Sequence, residues 1–231
     1  MFPIRDTVRS RTFPIANYGL IALNVVVFLF EASLGPRAFN QVISSFGVVP
    51  AQLSLVQPLS LITLFSSMFL HGGWFHLLSN MWILFIFGDN VEDRMGSLRY
   101  VVFYLLAGVV AGSTHVFFSP GSDVPTVGAS GAIAGVLGAY FVLFPAARVT
   151  TFVPLFLLPW FIEVPAYLFI GIWFVSQLSS GLLQLGAYGD FGGVAWWAHI
   201  GGFLVGILLV RLFAAKPKVQ RLWYPDEHWP W

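Results

Sequence analysis

Cysteine is absent from the 231 residues, which excludes disulfides, thiolate metal sites and a cysteine nucleophile together. Charge is scarce as well. Asp, Glu, Lys and Arg make up 9% of the chain, against about 25% in an ordinary soluble domain. So few charges do not cover a globular surface in water, and a soluble cytosolic protein is excluded. The 11 basic and 10 acidic residues nearly cancel to a net charge of +1, which argues against a nucleic-acid partner, since such a binder carries a basic patch or stripe. What is present is apolar: 58% hydrophobic residues, with 9 Trp, 7 Tyr and 24 Phe, a composition incompatible with disorder. A polytopic membrane protein of one domain remains. It is read as residues 1–231, with a core of about 15–213 and short tails at 1–14 and 214–231.

A helix needs about 20 mostly apolar residues to cross a bilayer. Six stretches qualify: Ile15–Phe30, Trp74–Phe87, Tyr100–Phe118, Val127–Phe144, Val164–Leu185 and Val194–Phe213. The run Leu59–Leu70 precedes the second and reads as an interfacial or re-entrant piece, broken from the span at His71-Gly72-Gly73. Val149–Ile162 is a seventh candidate. It is short, and Pro154 and Pro159 each remove a backbone donor that lipid does not replace, so it reads as interfacial. The expected fold is all-α, a six-helix membrane bundle.

With six spans and the N-terminus inside, ten of the 11 basic residues fall on the inner side and only Arg37 falls outside. The positive-inside rule therefore predicts cytoplasmic N- and C-termini. No cleavable signal peptide is evident, and span one reads as a retained anchor.

Polar residues inside spans are expensive and usually functional. Span two opens with His71, His76, Ser79 and Asn80; span four with Gly128-Ala129-Ser130-Gly131; span six with Ala198-His199-Ile200-Gly201-Gly202. Spans two, four and six run from outside to inside, so the three sets share one depth in the outer half of the bilayer. His76 and Asn80, four apart, share a helix face. Gly131, Gly135 and Gly138 form a glycine stripe on span four, and His199, Gly202 and Gly206 share a face of span six. Small residues at this spacing let membrane helices approach closely. Two such stripes facing one another would set Ser130 beside His199, the arrangement of an activated nucleophile. His115 has no matching motif and reads as structural. No carboxylate lies near Ser130 or His199 in sequence; Asp190, in the outer loop before span six, is a distant candidate for an orienting group, and the expectation is a Ser–His dyad. Glu31 and Glu163 are expected at interfaces. Asp89, Glu92 and Asp93 are expected to bond the turn after span two and to pair with Arg94 or Arg99.

In order and spacing these segments resemble the rhomboid family of intramembrane serine proteases, from about Asn17 to Phe213. The resemblance rests on His71-Gly72-Gly73-Trp74-Phe75-His76-Leu77-Leu78-Ser79-Asn80-Met81, on Gly88 through Gly96, on Gly128-Ala129-Ser130-Gly131-Ala132-Ile133-Ala134-Gly135, and on Ala198-His199-Ile200-Gly201-Gly202 continuing to Gly206. It implies a six-span rhomboid-like bundle in which Ser130 is the nucleophile and His199 the general base. His76, Asn80 and the Ser130 amide would stabilise the oxyanion. Gly128 would lie beside that hole, Gly131, Gly202 and Gly206 would permit close packing, and His71 and Glu92 would support the structure. Substrates would be single-span membrane proteins cut within or near the bilayer, with no cofactor and no metal. The sequence departs from some relatives at Ala134, where a Tyr stacks on the histidine, so what orients His199 is open. Short loops suggest a prokaryotic plasma membrane.

Three other readings were weighed. A metalloprotease built on His71, His76 and His199 lacks the glutamate of an H-E-x-x-H motif. A non-catalytic rhomboid-like protein that binds membrane helices would lack the Ser or the His. A transporter would place its polar groups at the midplane.

Overall fold

The computed structural model describes residues 2–54, 56–155, 158–186 and 193–214. The chain runs β1 (Phe2–Asp6), α1 (Ile15–Ser33), α2 (Pro36–Phe46), α3 (Pro58–Ser66) with a 3-10 turn at Ser67–Phe69, α4 (Trp74–Met95) and α5 (Ser97–Phe118). It continues with α6 (Ser130–Leu143), β2 (Arg148–Leu155), β3 (Leu158–Pro165), α7 (Ala166–Gly186) and α8 (Trp196–Phe213). The fold is mostly helical. Helices α1, α5, α7 and α8 are each long and apolar enough to cross a membrane, and Pro58–Phe69 with α4 qualifies as a further, bent span. The bend of 79° falls at His71-Gly72-Gly73, where the sequence predicted the break.

Helix α6 is the central element. Every residue from Gly131 to Tyr140 is buried, and α4, α5, α7 and α8 all pack on it. Outward faces of the surrounding helices keep large apolar side chains exposed, among them Leu23, Phe85, Val102, Ile172 and Leu208. Around a helical bundle, that pattern suits hydrocarbon rather than water.

The α6–α8 seam has almost no space between backbones. A Cβ added at Gly202 would run into the Gly131 carbonyl, and one at Gly206 into the Gly135 carbonyl. A Cβ at Gly135 would lie 3.3 Å from the Gly202 carbonyl oxygen. With no hydrophobic force separating helix from lipid, this backbone-to-backbone contact holds the two helices together through dispersion. Gly202→Val is expected to destabilise the protein by roughly 1–3 kcal/mol through overpacking, a fall of about 2–4 °C in Tm per kcal/mol. Thermal unfolding in detergent would measure it, and an unchanged Tm would mean that the seam is slack.

The interhelical ties differ from those expected. Among the described residues Glu92 pairs with no arginine. Its carboxylate accepts the backbone N–H groups of Ala16 (3.0 Å) and Asn17 (2.7 Å) and the Ser97 hydroxyl (2.6 Å). It thereby joins the first turns of α1 and α5 to the end of α4, where an anion is favoured by the helix dipoles. Asp93 likewise accepts from the Arg11 and Thr12 backbone and the Thr12 hydroxyl. Gly96, between α4 and α5, has φ +80°, a backbone region that favours glycine. Glu31 is not interfacial either. It is fully buried and accepts the His71 backbone N–H at 3.2 Å, fixing α1 to the break before α4.

The all-α expectation fails at one place. Strands β1, β2 and β3 form an antiparallel sheet in that order, with β2 and β3 paired from Arg148↔Pro165 to Leu155↔Leu158. The segment 149–162, expected as an interfacial piece, is most of this hairpin, with residues 156 and 157 outside the described set. Its Val, Thr, Ile and Phe content is a strand signal. The prolines counted against a span, Pro154 and Pro159, pair with one another near the hairpin tip, where few ladder bonds are lost. Val149, Thr151 and Val164 turn inward and are buried. The first residues, expected as a tail, add β1 to this sheet. The loop before span six and the Trp-rich C-terminal tail lie outside the described residues.

Asp6 at the end of β1 accepts hydrogen bonds from the Tyr140 hydroxyl of α6 and, at 2.9 Å, from Asn90 of α4. Burial pushes its carboxyl up from the usual 3.8 to about 6, although the Tyr140 bond opposes this. A raised carboxyl pKa means that the folded state holds the proton more tightly than the unfolded chain. The associated stability is present below pH 4 and is lost as pH rises through about 6. Asp6→Asn keeps an acceptor for both donors. It is expected to flatten this dependence and to raise Tm at pH 7.5 by about 2–4 °C after allowance for solvent screening. Parallel melts at pH 4 and 7.5 measure it; an identical pH dependence in both proteins would contradict it.

Candidate active site

Ser130 is the first residue of α6, reached through an extended segment whose ends are pinned. Thr126 bridges Val48, with backbone bonds of 2.7 and 2.9 Å, and the Gly128 N–H donates to the Ser67 carbonyl at 2.9 Å. Gly128 has φ +126°, and a Cβ there would lie 2.6 Å from His76 Nε2. Glycine is required both by the conformation and by the close approach of that ring. Ser130 therefore opens a helix at a fixed point, with the unpaired N–H groups of the first turn beside its hydroxyl.

His199 lies in the first turn of α8. Its Nε2 is 2.8 Å from Ser130 Oγ. The pair is brought together by the glycine seam below it, as the spacing of the two stripes predicts. The other nitrogen, Nδ1, is 2.7 Å from Gln177 Oε1 of α7. The indoles of Trp173 and Trp196 flank the imidazole, with ring centroids 6.0 and 6.3 Å away.

His76 and Asn80 come from α4 and face the same space. The Gly72 N–H points at His76 Nδ1 at 3.4 Å, which leaves the ring proton of the neutral imidazole on Nε2, against Gly128. Asn80 Nδ2 lies 3.7 Å from the point where a Gly128 Cβ would stand. This Nδ2 is buried and has no hydrogen-bond partner among the described residues. Two side-chain donors and the start of a helix thus converge beside Ser130, a constellation suited to holding a developing negative charge.

These groups line a cavity of about 690 Å³ that also reaches Phe75, His115 and Gln184. His115, read as structural, is buried and pairs through Nε2 with the Thr126 hydroxyl at 3.0 Å. His71 is fully buried behind His76, with ring centroids 5.1 Å apart. Among the described residues no group of three His, Asp or Glu side chains is placed to hold a metal ion.

Sequence reading missed Gln177. The signal was there: Gln177 is an amide inside the apolar stretch Val164–Leu185, and polar groups in spans are costly unless used. It was overlooked because its partner is 22 residues away on another helix.

A helical membrane bundle that sets a serine and a histidine on glycine-packed neighbouring helices is the architecture of this protein. The Rhomboid domain model matches residues 58–216, and the chain belongs to the rhomboid family, which includes serine proteases. It is 31% identical over 215 residues to the mitochondrial presenilin-associated rhomboid-like protein of Bos taurus, covering 89% of this chain and 52% of that one. It is 30% identical over 167 residues to mitochondrial Rhomboid protein 1 of Saccharomyces cerevisiae, covering 70% and 44%. It is 34% identical over 126 residues to Rhomboid protease GluP of Bacillus subtilis, covering 54% and 24%. The chain spans about half the length of the first of these relatives or less. The two relatives matched over most of the chain are named as mitochondrial, so these likenesses lend no support to the prokaryotic plasma membrane expected from the short loops.

Proposed function

We propose that the chain is an intramembrane serine endopeptidase that cleaves single-span membrane proteins through a Ser130–His199 dyad. The observation that supports this reading most is the 2.8 Å approach of His199 Nε2 to Ser130 Oγ at a cavity that gathers polar side chains within an apolar bundle. His199 takes the serine proton as Ser130 Oγ attacks the scissile carbonyl. His76, Asn80 and the Ser130 amide hold the oxyanion, with Gly128 leaving room for it. His199 then protonates the leaving amine, and water hydrolyses the acyl-enzyme by the same steps in reverse order of roles.

The depth of the site follows from length. Helix α6 has 14 residues, about 21 Å at 1.5 Å per residue, against a hydrocarbon core of about 30 Å. If its C-terminal end reaches one face of the core, Ser130 lies some 10 Å below the other, and the cavity must supply water from that side. The positive-inside count puts the N- and C-termini in the cytoplasm and the cavity on the opposite side, with α4, α6 and α8 descending inward among six spans. A scissile peptide must leave its helix, because a helical carbonyl is already hydrogen-bonded, so substrates are expected to carry helix-breaking or small residues near the cut.

The test uses detergent-purified protein, a fluorophosphonate probe and a reconstituted single-span substrate. Labelling together with one cut near the substrate's outer end is expected. A folded protein that neither labels nor cleaves would move the reading to a rhomboid-like protein that binds membrane helices without cutting them.

A further inference from the structure

The dyad lacks the carboxylate that holds the imidazole in serine-protease triads, and Ala134 offers no ring to stack on it. We propose that Gln177 is the positioning residue for His199: its side-chain carbonyl accepts the Nδ1 proton and so holds the ring in the tautomer whose Nε2 is free to take the proton of Ser130. The inference rests on the protease reading above.

The geometry fixes which end of the amide faces the ring. Gln177 Nε2 lies 3.3 Å from the Trp173 carbonyl and 2.9 Å from Ser176 Oγ. The Ser176 hydroxyl is itself committed as a donor to that carbonyl at 2.6 Å. Both neighbours of Nε2 therefore serve it as acceptors, and a flipped amide would set its oxygen against the Trp173 carbonyl. Oε1 is left toward His199 Nδ1 at 2.7 Å. A carbonyl oxygen only accepts, so Nδ1 carries the proton, and Nε2 is the lone-pair nitrogen at 2.8 Å from the Ser130 hydroxyl. The amide is buried, so no bulk water competes for Nδ1. The backbone beneath is equally fixed. A Cβ at Gly181, one turn further along α7, would lie 3.1 Å from Ile200 and 3.4 Å from Trp197, so α7 rests directly on the first turns of α8.

Two consequences follow. The three members of the chain Gln177–His199–Ser130 come from α7, α8 and α6, so any sideways movement of α7 that widens the cavity also frees the histidine ring. The ring is set for catalysis only while α7 is seated. The second consequence is electrostatic. Among the described residues, the titratable groups acting on His199 are the imidazoles of His76 on α4 and His115 on α5. A neutral amide orients the ring without stabilising the imidazolium, whereas Gln177→Glu would add a carboxylate and favour it.

The experiment compares wild type, Gln177→Leu, Gln177→Glu and Ser130→Ala, each checked for folding by thermal melt. It measures fluorophosphonate labelling rate and kcat and KM for a single-span substrate from pH 5 to 9. Gln177→Leu is expected to lower kcat and labelling about 10–100-fold with KM unchanged, the loss typical of one buried hydrogen bond. Gln177→Glu is expected to keep most of the rate and to move the acid limb of the pH profile upward by about one unit or more. Wild-type rates in folded Gln177→Leu, or an unmoved acid limb in Gln177→Glu, would overturn the assignment. Should Gln177→Leu not fold, the acid limb of Gln177→Glu decides alone. If wild type labels no more than Ser130→Ala, the protease reading itself fails, and this inference with it.

Discussion

Ser130→Ala and His199→Ala are each expected to abolish covalent labelling and to lower cleavage by at least about 10⁴-fold, with the fold intact. The reason is geometric. At 2.8 Å the hydroxyl and imidazole act as one unit, and removing either member of such a unit costs nearly as much as removing both, up to about 10⁶-fold in a well-studied serine protease. Without Nε2 the Ser130 hydroxyl loses the imidazole that accepts from it at 2.8 Å. Ser130→Ala deletes one oxygen at the start of α6 and leaves the glycine seam below untouched, so its melting temperature should change little. Cleavage by the double variant should equal that of either single one. Labelling that persists in Ser130→Ala would place the nucleophile elsewhere, and additive losses in the double variant would mean that the two residues do not act together.

Asn80→Ala is expected to lower kcat about 10²–10³-fold while leaving KM nearly unchanged, the effect of deleting one donor to an oxyanion. Its Nδ2 is buried, faces the Gly128 turn and has no partner among the described residues. A donor left unpaired in the resting protein costs stability. That cost is offset in function if the donor bonds most strongly to the charge that develops on the substrate. The alanine variant should therefore be no less stable than wild type, and it is expected to be slightly more so. His76→Ala should fall in the same range, and the pair should be less than additive if both donors serve one oxygen. Near-normal turnover in Asn80→Ala, or a rise in KM alone, would remove Asn80 from this role.

The glycine spacing on two apolar stretches was enough to predict that Gly131 and Gly135 would meet Gly202 and Gly206, because only small residues permit that approach in lipid. The placement of Ser130 against His199 follows from the same pattern, since each residue sits at the top of its stripe. The break at His71-Gly72-Gly73 was visible as an apolar run too long for one span. The hairpin of β2 and β3 was not foreseen, because the prolines were counted against a span without asking what the β-branched residues favoured. Glu31 was expected at an interface because it ends its stretch, and Glu92 and Asp93 were expected to pair with Arg94 or Arg99 because those lie next in sequence; the bonding of the turn by Glu92 is met through Ser97. In the fold, their oxygens bond backbone donors up to 82 residues away.

The sequence by itself determined the membrane class, the apolar helices, the break before α4 and the place of three polar sets at the starts of their apolar stretches. These properties depend on composition and on periodicity along one segment. The tertiary structure decided what lies opposite each set. It decided that Gln177 of α7 meets His199, that Glu92 caps two other helices, and that the first residues of the chain form a strand beside β2. Such pairings depend on how helices are rotated and stacked. No local energy encodes that rotation, which emerges only when every buried polar group must find a partner in an interior without water.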